Sequence, residues 1–442
     1  MSVGIAIVGS GPAGFYAADA LLKLDIDCRI DLIERLPTPF GLIRGGVAPD
    51  HQSTKKVIKA YERTAQAEPV RYFGNVHLGR DLSLDELREI YDAVVLAVGA
   101  PKDRPLEIPG AETRGIIGSA AFVGWYNGHP DFADLAPDLQ AETIAVIGNG
   151  NVALDIARLL GKTRAEMASS DITDYAAAAI ESSPVKAIYI LGRRDAGHAK
   201  FTNKELKEMG ALSDCAPIVD PRDLEAGVPT DLDERSRRRA EKNLATLRGF
   251  TELDPGGKTR RVVFDFCARP QAVLGDDKVA ALRIERTRIE DGRVVGSGET
   301  RDLPCGALIT AIGYRGPAIP GAPFDARRGT FVHEDGRVAP GLYAVGWCKR
   351  GPTGVIGTNK ADGDLAAQQI LEDVRVGGKS GREGLEALLA ERGVRYIDYP
   401  EWKRIEAAEE AAAAPGAPRR KLVTIGDMLA LLDEKRASTA PP

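Results

Sequence analysis

The chain has 442 residues, more than one ordinary hydrophobic core accommodates, and so predicts two or three domains. Its net charge of −5 argues against a general nucleic-acid binder, and no apolar run approaches the roughly 18 residues that span a bilayer. The five cysteines show no C-x-x-C, zinc or iron–sulfur spacing. We therefore expect no nucleic-acid partner, no membrane insertion, no metal site and a cytoplasmic location.

The N-terminal segment combines a strand, a glycine turn and a helix. The apolar run VGIAIV (3–8) begins so early that we expect no signal or transit peptide. Gly9, Gly11 and Gly14 follow in a G-x-G-x-x-G pattern, which permits a tight turn, close approach of a pyrophosphate and close helix packing. Glu34 ends the next apolar run, where a carboxylate accepts a ribose hydroxyl. Together these features predict a dinucleotide site.

A second strand, glycine turn and helix follow, with Gly148 and Gly150 in the turn. An insertion at about 161–184 delays the next strand, after which Arg193 and Arg194 stand in place of an acid. Guanidinium groups bind a 2′-phosphate that a carboxylate repels, so this pattern predicts NADP(H). The alternative is a basic turn that is merely exposed to solvent.

Two such folds, the first ending in an acid and the second in arginines, predict FAD followed by NADP(H). The segment 340–371 is predicted as a strand, a loop and a helix. The N-terminus of that helix, near Gly357, can direct its positive end at a reduced flavin, the alternative being an ordinary return helix. We predict an α/β protein with two Rossmann-like, glutathione reductase-like domains: a discontinuous FAD domain at 1–105 and 317–442, and an inserted NADP(H) domain at 106–316.

Six motifs follow one another in a family-specific order. They are GSGPAGFYAA (9–18), ERLPTPFGLIRGGVAPDH (34–51), GNGNVALDIAR (148–158), GRR with AKFT (192–194 and 199–202), TAIGY (310–314) and VGWCKRGPTGVIGTN (345–359). With them the chain resembles the adrenodoxin reductase-like ferredoxin–NADP reductases, from residue 1 to about 375.

The resemblance implies particular site residues. FAD would contact Gly9, Gly11, Ala13, Gly14, Glu34, Leu42 and Val76, with Trp347, Gly354, Val355 and Ile356 at the isoalloxazine. NADP(H) would contact Arg104, Asn149, Gly150, Asn151, Val152, Arg193, Arg194, Glu205 and Gly354. His51 and Glu205 match positions near the nicotinamide and flavin, where they tune hydride transfer. Asp195 stands where the family commonly has glycine, and we expect its carboxylate to weaken the preference for NADPH.

The implied function is a ferredoxin–NADP reductase. A hydride from NADPH enters FAD, and single electrons leave to a ferredoxin-type iron–sulfur protein. The lack of a redox cysteine pair excludes a disulfide reductase. An NADPH diaphorase or quinone reductase remains an alternative, as does a non-catalytic FAD/NADPH-binding protein.

The run 234–248 is basic within an acidic chain and is predicted as a helix. Ferredoxins are acidic, so we expect docking near Arg235, Arg238, Arg239, Lys242 and Arg248. The alternative is an ordinary solvent-exposed helix face. We expect a monomer, and we expect the Ala/Pro-rich stretch 406–418 to be a flexible connector before the last helix.

Overall fold

A computed structural model describes residues 2–374 and 377–439. Their backbone contacts divide the chain into two compact units. Unit 1 comprises 2–102, 127–133 and the described residues from 313 onward, and unit 2 comprises 103–126 and 134–312. Unit 1 is thus discontinuous, and it includes the short segment 127–133, which the sequence did not single out.

The helices in chain order are α1 Pro12–Leu21, α2 Leu42–Gly45, α3 Gln52–Lys55, α4 Ile58–Ala65, α5 Leu84–Ile90, α6 Ser119–Asn127, α7 Asn151–Gly161, α8 Arg164–Met167, α9 Asp174–Glu181, α10 Asn203–Glu208, α11 Glu234–Thr251, α12 Trp347–Arg350, α13 Asn359–Asp373, α14 Gly381–Glu391, α15 Tyr399–Ala411 and α16 Ile425–Thr439. None of these helices is long and apolar enough to cross a membrane.

The strands in chain order are β1 Val3–Val8, β2 Cys28–Ile33, β3 Val70–Phe73, β4 Ala93–Leu96, β5 Lys102–Asp103, β6 Ile116–Gly118, β7 Thr143–Ile147, β8 Ala187–Leu191, β9 Cys215–Val219, β10 Arg260–Asp265, β11 Ala268–Leu274, β12 Ala281–Glu290, β13 Arg293–Pro304, β14 Ala307–Thr310, β15 Tyr314–Arg315, β16 Phe324–Asp325, β17 Thr330–Phe331, β18 Arg337–Ala339 and β19 Leu342–Ala344.

Unit 1 is built on a six-stranded sheet in the order β18-β19-β4-β1-β2-β3, in which only the β18–β19 pair is antiparallel. Every residue of β1 is buried, as expected of a parallel strand covered on both faces. Pro12 opens α1, where its missing N–H costs no hydrogen bond. Small residues let helices approach closely: a Cβ on Gly363 of α13 would lie 2.7 Å from the Tyr16 carbonyl.

Unit 2 is built on a second six-stranded sheet, β6-β14-β7-β8-β10-β9, whose paired strands are all parallel. A three-stranded antiparallel meander, β11-β12-β13, adds to its core. The predicted insertion holds helices α8 and α9. The predicted α/β fold class is confirmed.

One local expectation needs correction. The stretch 406–418 is not wholly a connector, because α15 extends to Ala411 and buries Glu406 and Glu409. Helix α13, predicted to begin near Gly357, begins at Asn359 directly after the 3₁₀ turn Ile356–Thr358.

Candidate functional site

The turn after β1 has the geometry of a phosphate cradle. Gly9 has a φ of +109°, and a Cβ there would lie 2.4 Å from the Ala97 carbonyl oxygen. A Cβ on Gly14 would lie 2.0 Å from the Gly9 oxygen, so neither position accepts a side chain. Gly11 differs, because a Cβ added there would meet no atom nearer than 3.8 Å. The space before helix α1 therefore remains open to an anion.

Unit 2 repeats this geometry in the turn after β7. Gly148 has a φ of +147°, and a Cβ there would lie 2.2 Å from the Ala311 oxygen. A Cβ on Gly150 would meet nothing within 4 Å, which again leaves room before a helix N-terminus. The strand order reverses at β1, which lies between β2 and β4, and at β7, which lies between β8 and β14; α/β sheets bind ligands at such positions. Both turns fit a dinucleotide.

Glu34 lies at the first turn, as its spacing predicted. Its carboxylate accepts the backbone and hydroxyl hydrogens of Ser10, at 3.0 and 2.8 Å, and the Leu36 N–H at 3.2 Å. A carboxylate offers about four acceptor positions, so one is left for a ribose hydroxyl.

Arg193 and Arg194 follow β8 at the edge of the second turn, the first exposed and the second half-buried. Their backbone is fixed, because the Arg193 carbonyl accepts the Thr287 hydroxyl at 2.9 Å and the Arg194 carbonyl accepts the Cys267 N–H at 3.0 Å. The two guanidinium groups are therefore carried by an anchored segment of chain.

The loop AKFT is attached to the second turn. The Asn149 carbonyl accepts the Lys200 N–H at 2.9 Å, and the Asn151 side chain accepts the Thr202 N–H at 2.7 Å. Among described residues, Asn149 Oδ1, Thr202 Oγ1 and Glu205 Oε2 are buried without a hydrogen-bond partner. Unsatisfied atoms of this kind cost free energy, so they fit a site that is completed by a ligand or water.

In unit 1 the structure brings several predicted residues together. A Cβ on Gly41 would lie 2.9 Å from the Gly11 Cα, so the loop that carries Leu42 touches the phosphate turn. A Cβ on Gly346 would lie 2.6 Å from the Ala13 Cβ, so the segment that leads into Trp347 touches the start of α1.

The Trp347 turn depends on residues that the sequence did not single out. Trp347 stacks on Tyr314, with ring centroids 6.0 Å apart and an interplanar angle of 27°. Asp362 of α13 accepts the Gly346 N–H at 3.0 Å and pairs with Arg350. The aromatic residue of TAIGY was the available signal for Tyr314. Nothing in the local sequence indicated Asp362, which meets this turn only through tertiary packing.

The loop after this turn exposes apolar surface. Val355 is 61% exposed and Leu42 is 44% exposed, while Ile356 is half-buried. Gly354 has a φ of +87°, and a Cβ there would lie 2.7 Å from the Thr358 hydroxyl oxygen. A planar aromatic ring laid against these side chains would remove their surface from water, so this loop fits a flavin.

The remaining predicted residues are less exposed. The Val76 side chain is 1% exposed in the core of unit 1, so any cofactor contact there falls to its backbone. His51 is half-buried at the N-cap of α3, and its backbone N–H donates to the Ala48 carbonyl oxygen at 3.0 Å. Arg104 is half-buried in unit 2, and Val152 lies in the first turn of α7.

All five cysteines are unpaired. Burial raises the pKa of Cys28, takes those of Cys267 and Cys348 to about 11, and takes those of Cys215 and Cys305 to about 12. Since the thiolate is the reactive form, these raised pKa values disfavour reactive thiols at neutral pH.

Comparison with known proteins supplies the family. The family described as "Pyridine nucleotide-disulphide oxidoreductase" matches residues 3–209. The chain is 42% identical over 382 residues to NADPH-ferredoxin reductase FprA of Mycobacterium tuberculosis, covering 84% of each chain. It is 44% identical over 391 residues to mitochondrial NADPH:adrenodoxin oxidoreductase of Rattus norvegicus, covering 84% of this chain and 79% of the relative. The chain belongs to the adrenodoxin reductase-like ferredoxin–NADP reductases.

The similarity to this family covers the whole fold. The structure titled "Mycobacterium tuberculosis FprA in complex with NADPH" superposes with a TM-score of 0.93 and 38% identity, over 98% of this chain and all of that one. The five unpaired cysteines with raised pKa values, four of them buried, agree with relatives named for ferredoxin or adrenodoxin rather than with a disulfide-reducing enzyme.

Proposed function

We propose that this protein is an FAD-dependent ferredoxin–NADP reductase that passes electrons from NADPH to a ferredoxin-type iron–sulfur protein. One observation carries the proposal: the same glycine turn is built twice, beside Glu34 in unit 1 and beside Arg193 and Arg194 in unit 2. An acid suits an unmodified ribose, and paired arginines suit a 2′-phosphate.

Each unit has a separate role in this proposal. Unit 1 would hold FAD through Gly9, Gly11, Ala13, Gly14 and Glu34, with Leu42 and the 354–356 loop against the ring. FAD, when bound, accepts a hydride and releases electrons singly. Trp347, fixed on Tyr314, would shield one edge of the ring from water. The positive end of α13 would favour the added negative charge.

Unit 2 would hold NADP(H) through Arg104, the 149–152 turn and the arginine pair. Glu205 would orient the nicotinamide through its unpartnered carboxylate oxygen. His51, in unit 1, would tune hydride transfer without forming a covalent bond. The unpaired thiols suit a reducing compartment such as the cytoplasm. Size-exclusion chromatography of the holoprotein tests our expectation that it is a monomer.

The test of this function is cytochrome c reduction by the purified holoprotein, with and without a micromolar [2Fe–2S] ferredoxin. We expect strong stimulation by ferredoxin and a large preference for NADPH over NADH. Fast turnover that ignores ferredoxin would instead identify a diaphorase. No flavin reduction by either nucleotide would identify a binding protein.

The arginine assignment has its own test. The double variant Arg193→Gln with Arg194→Gln removes the charges that pair with the 2′-phosphate. We expect kcat/KM for NADPH to fall about 100-fold while that for NADH changes little, because charge-assisted hydrogen bonds contribute about 1.5–3 kcal/mol each. Equal losses with both nucleotides would remove the assignment.

We further propose that helix α11 docks the ferredoxin. Arg235, Arg238 and Lys242 are exposed at a spacing that places them on one helix face. Arg248 is also exposed, whereas Arg239 is half-buried with an unpartnered Nε, so it contributes less to the surface than the sequence suggested. Asn243 anchors the helix by donating to the Phe201 carbonyl at 2.9 Å, in the loop before Glu205.

Charge reversal tests the docking surface. Arg235→Glu with Lys242→Glu should raise the ferredoxin KM about tenfold and flatten its salt dependence, because both charges attract an acidic partner. NADPH-to-ferricyanide turnover should not change. The matched control reverses Arg261 and Arg293, exposed arginines of unit 2 outside α11. If both double variants raise KM equally, α11 is not the docking site.

A further inference from the structure

Asp195 places a carboxylate directly after the two arginines. A 2′-phosphate carries a charge of about −1.5 to −2 near neutral pH, so an acid in this position works against its binding. The structure shows, however, that this carboxylate is engaged within the protein. Its Oδ1 accepts the His198 backbone N–H at 3.1 Å and lies 2.8 Å from His198 Nδ1.

The contact between Asp195 and His198 involves one ring nitrogen. When the carboxylate is ionised it can only accept, so His198 Nδ1 is then the donor at 2.8 Å. The histidine side chain is 5% exposed and the Asp195 side chain 14%. His198 Nε2 lies 3.5 Å from Asp231 Oδ1, so a second carboxylate faces the same ring. The Nδ1–H donor, 2.8 Å from Asp195 Oδ1, both orients the Asp195 charge and reduces its field at the neighbouring arginines.

The chain around the pair leaves little room for it to rearrange. Asp195 caps the 3₁₀ turn Ala196–His198, and Ala196 is buried. A Cβ on Gly197 would lie 2.4 Å from the ring of Pro229, which shows that the turn is packed closely against that loop. The carbonyls of Arg193 and Arg194 are bonded as described above. The Asp195 carboxylate is therefore directed at His198 by the fold.

We propose that His198 is a positioning residue for nucleotide specificity: it holds the Asp195 carboxylate and thereby preserves 2′-phosphate recognition by Arg193 and Arg194. The inference rests on the proposed NADP(H) site. On this view the histidine three residues later offsets the Asp195 carboxylate, which the sequence alone predicted would weaken selectivity. A purely structural cap would stabilise the turn without affecting the choice between nucleotides.

The test measures binding rather than turnover. Calorimetry of the holoprotein at low salt gives the dissociation constants of 2′,5′-ADP and 5′-AMP, which differ by the 2′-phosphate. His198→Leu keeps the buried volume but cannot donate. We expect it to lower the preference for 2′,5′-ADP about fivefold, because the carboxylate, although still bonded to the backbone N–H of residue 198, then lacks the imidazole donor and acts more strongly on the phosphate through a partly screened field. Adding Asp195→Asn to that variant should restore the preference.

The remaining variants keep each outcome decisive. Asp195→Asn alone should raise the preference less than twofold, and it serves if His198→Leu fails to fold. A fivefold rise from Asp195→Asn alone would show that the carboxylate is not held and would overturn the inference. An unchanged preference in His198→Leu would also overturn it. So would a double variant whose preference for 2′,5′-ADP is as low as that of His198→Leu alone. Asp276→Asn, at an exposed acid far along the chain, controls for net charge.

The arginine double variant separates this inference from the proposed function. If Arg193→Gln with Arg194→Gln leaves the preference for 2′,5′-ADP intact, the proposed NADP(H) site itself is wrong. If that preference falls but His198→Leu does not change it, only the role of His198 is wrong.

Discussion

One backbone carbonyl oxygen beside each of the two turns determines that the turn must contain glycine. Gly9 and Gly148 both have positive φ values, and both face a carbonyl oxygen of the neighbouring strand segment at less than 2.5 Å from a would-be Cβ. Side chains other than glycine are therefore excluded by backbone strain and by a clash with a rigid partner. The open space lies instead beside Gly11 and Gly150, where we expect a pyrophosphate to meet the helix N-terminus.

The paired substitutions Gly9→Ala and Gly148→Ala test this directly. We expect Gly9→Ala to lose FAD, measured as flavin absorbance per protein, while Gly148→Ala keeps FAD but loses NADP+ binding in calorimetry. Each variant serves as the other's control. Loss of both ligands in both variants would mean that the glycines serve folding rather than separate sites.

At the scale of elements, helix α15 holds the segment that carries Leu42. Glu409, whose side chain is fully buried, accepts two hydrogen bonds from Arg44, one of 2.8 Å. The Arg44 guanidinium also lies 5.3 Å from the Trp402 ring centroid. Burial alone would raise the pKa of Glu409, but Arg44 and the Leu422 N–H outweigh it and keep that pKa below its usual range.

Glu409→Gln should destabilise unit 1 by about 3 kcal/mol at pH 7, because it removes the buried carboxylate charge that pairs with the nearly buried Arg44 guanidinium. Since the folded pKa is depressed, the stabilisation is present above about pH 4.5 and is lost as the pH falls below it. The difference between wild type and variant in urea unfolding should therefore shrink in acid. Glu410→Gln, at the adjacent exposed position, is the control and should change stability by less than about 0.5 kcal/mol.

At the scale of the whole molecule, each unit has its own sheet and its own core. Unit 1 buries apolar residues on both faces of its sheet, and unit 2 packs β7, β8 and β14 against the meander. A ligand stabilises the part that binds it, so each cofactor should act on one unit.

Calorimetric unfolding checks this division. NADP+ at about 100 times its dissociation constant should stabilise unit 2 by about 2.7 kcal/mol, and removal of FAD should lower the unfolding temperature of unit 1. The Arg193→Gln, Arg194→Gln variant should abolish the NADP+ effect and keep the FAD effect. A single transition raised equally by either ligand would contradict the assignment of one cofactor to each unit.

The sequence by itself determined the α/β class and the order of the two nucleotide turns, because strand hydrophobicity, glycine spacing and the residue after the second strand are local properties. It predicted the position of Glu34 for the same reason. The prediction for 406–418 was wrong in part, because composition does not reveal that Glu409 pairs with the distant Arg44 and Glu406 with Arg419.

Only the tertiary structure decided contacts between residues far apart in the chain. It joined Arg44 to Glu409, placed Asp362 under the Trp347 turn and stacked Tyr314 on Trp347. At short range, the structure also showed that Asp195 contacts His198 three residues later, which depends on the conformation of the turn between them. Local patterns specify which chemistry a chain can hold, whereas burial and charge pairing across the fold decide which side chains are available for it.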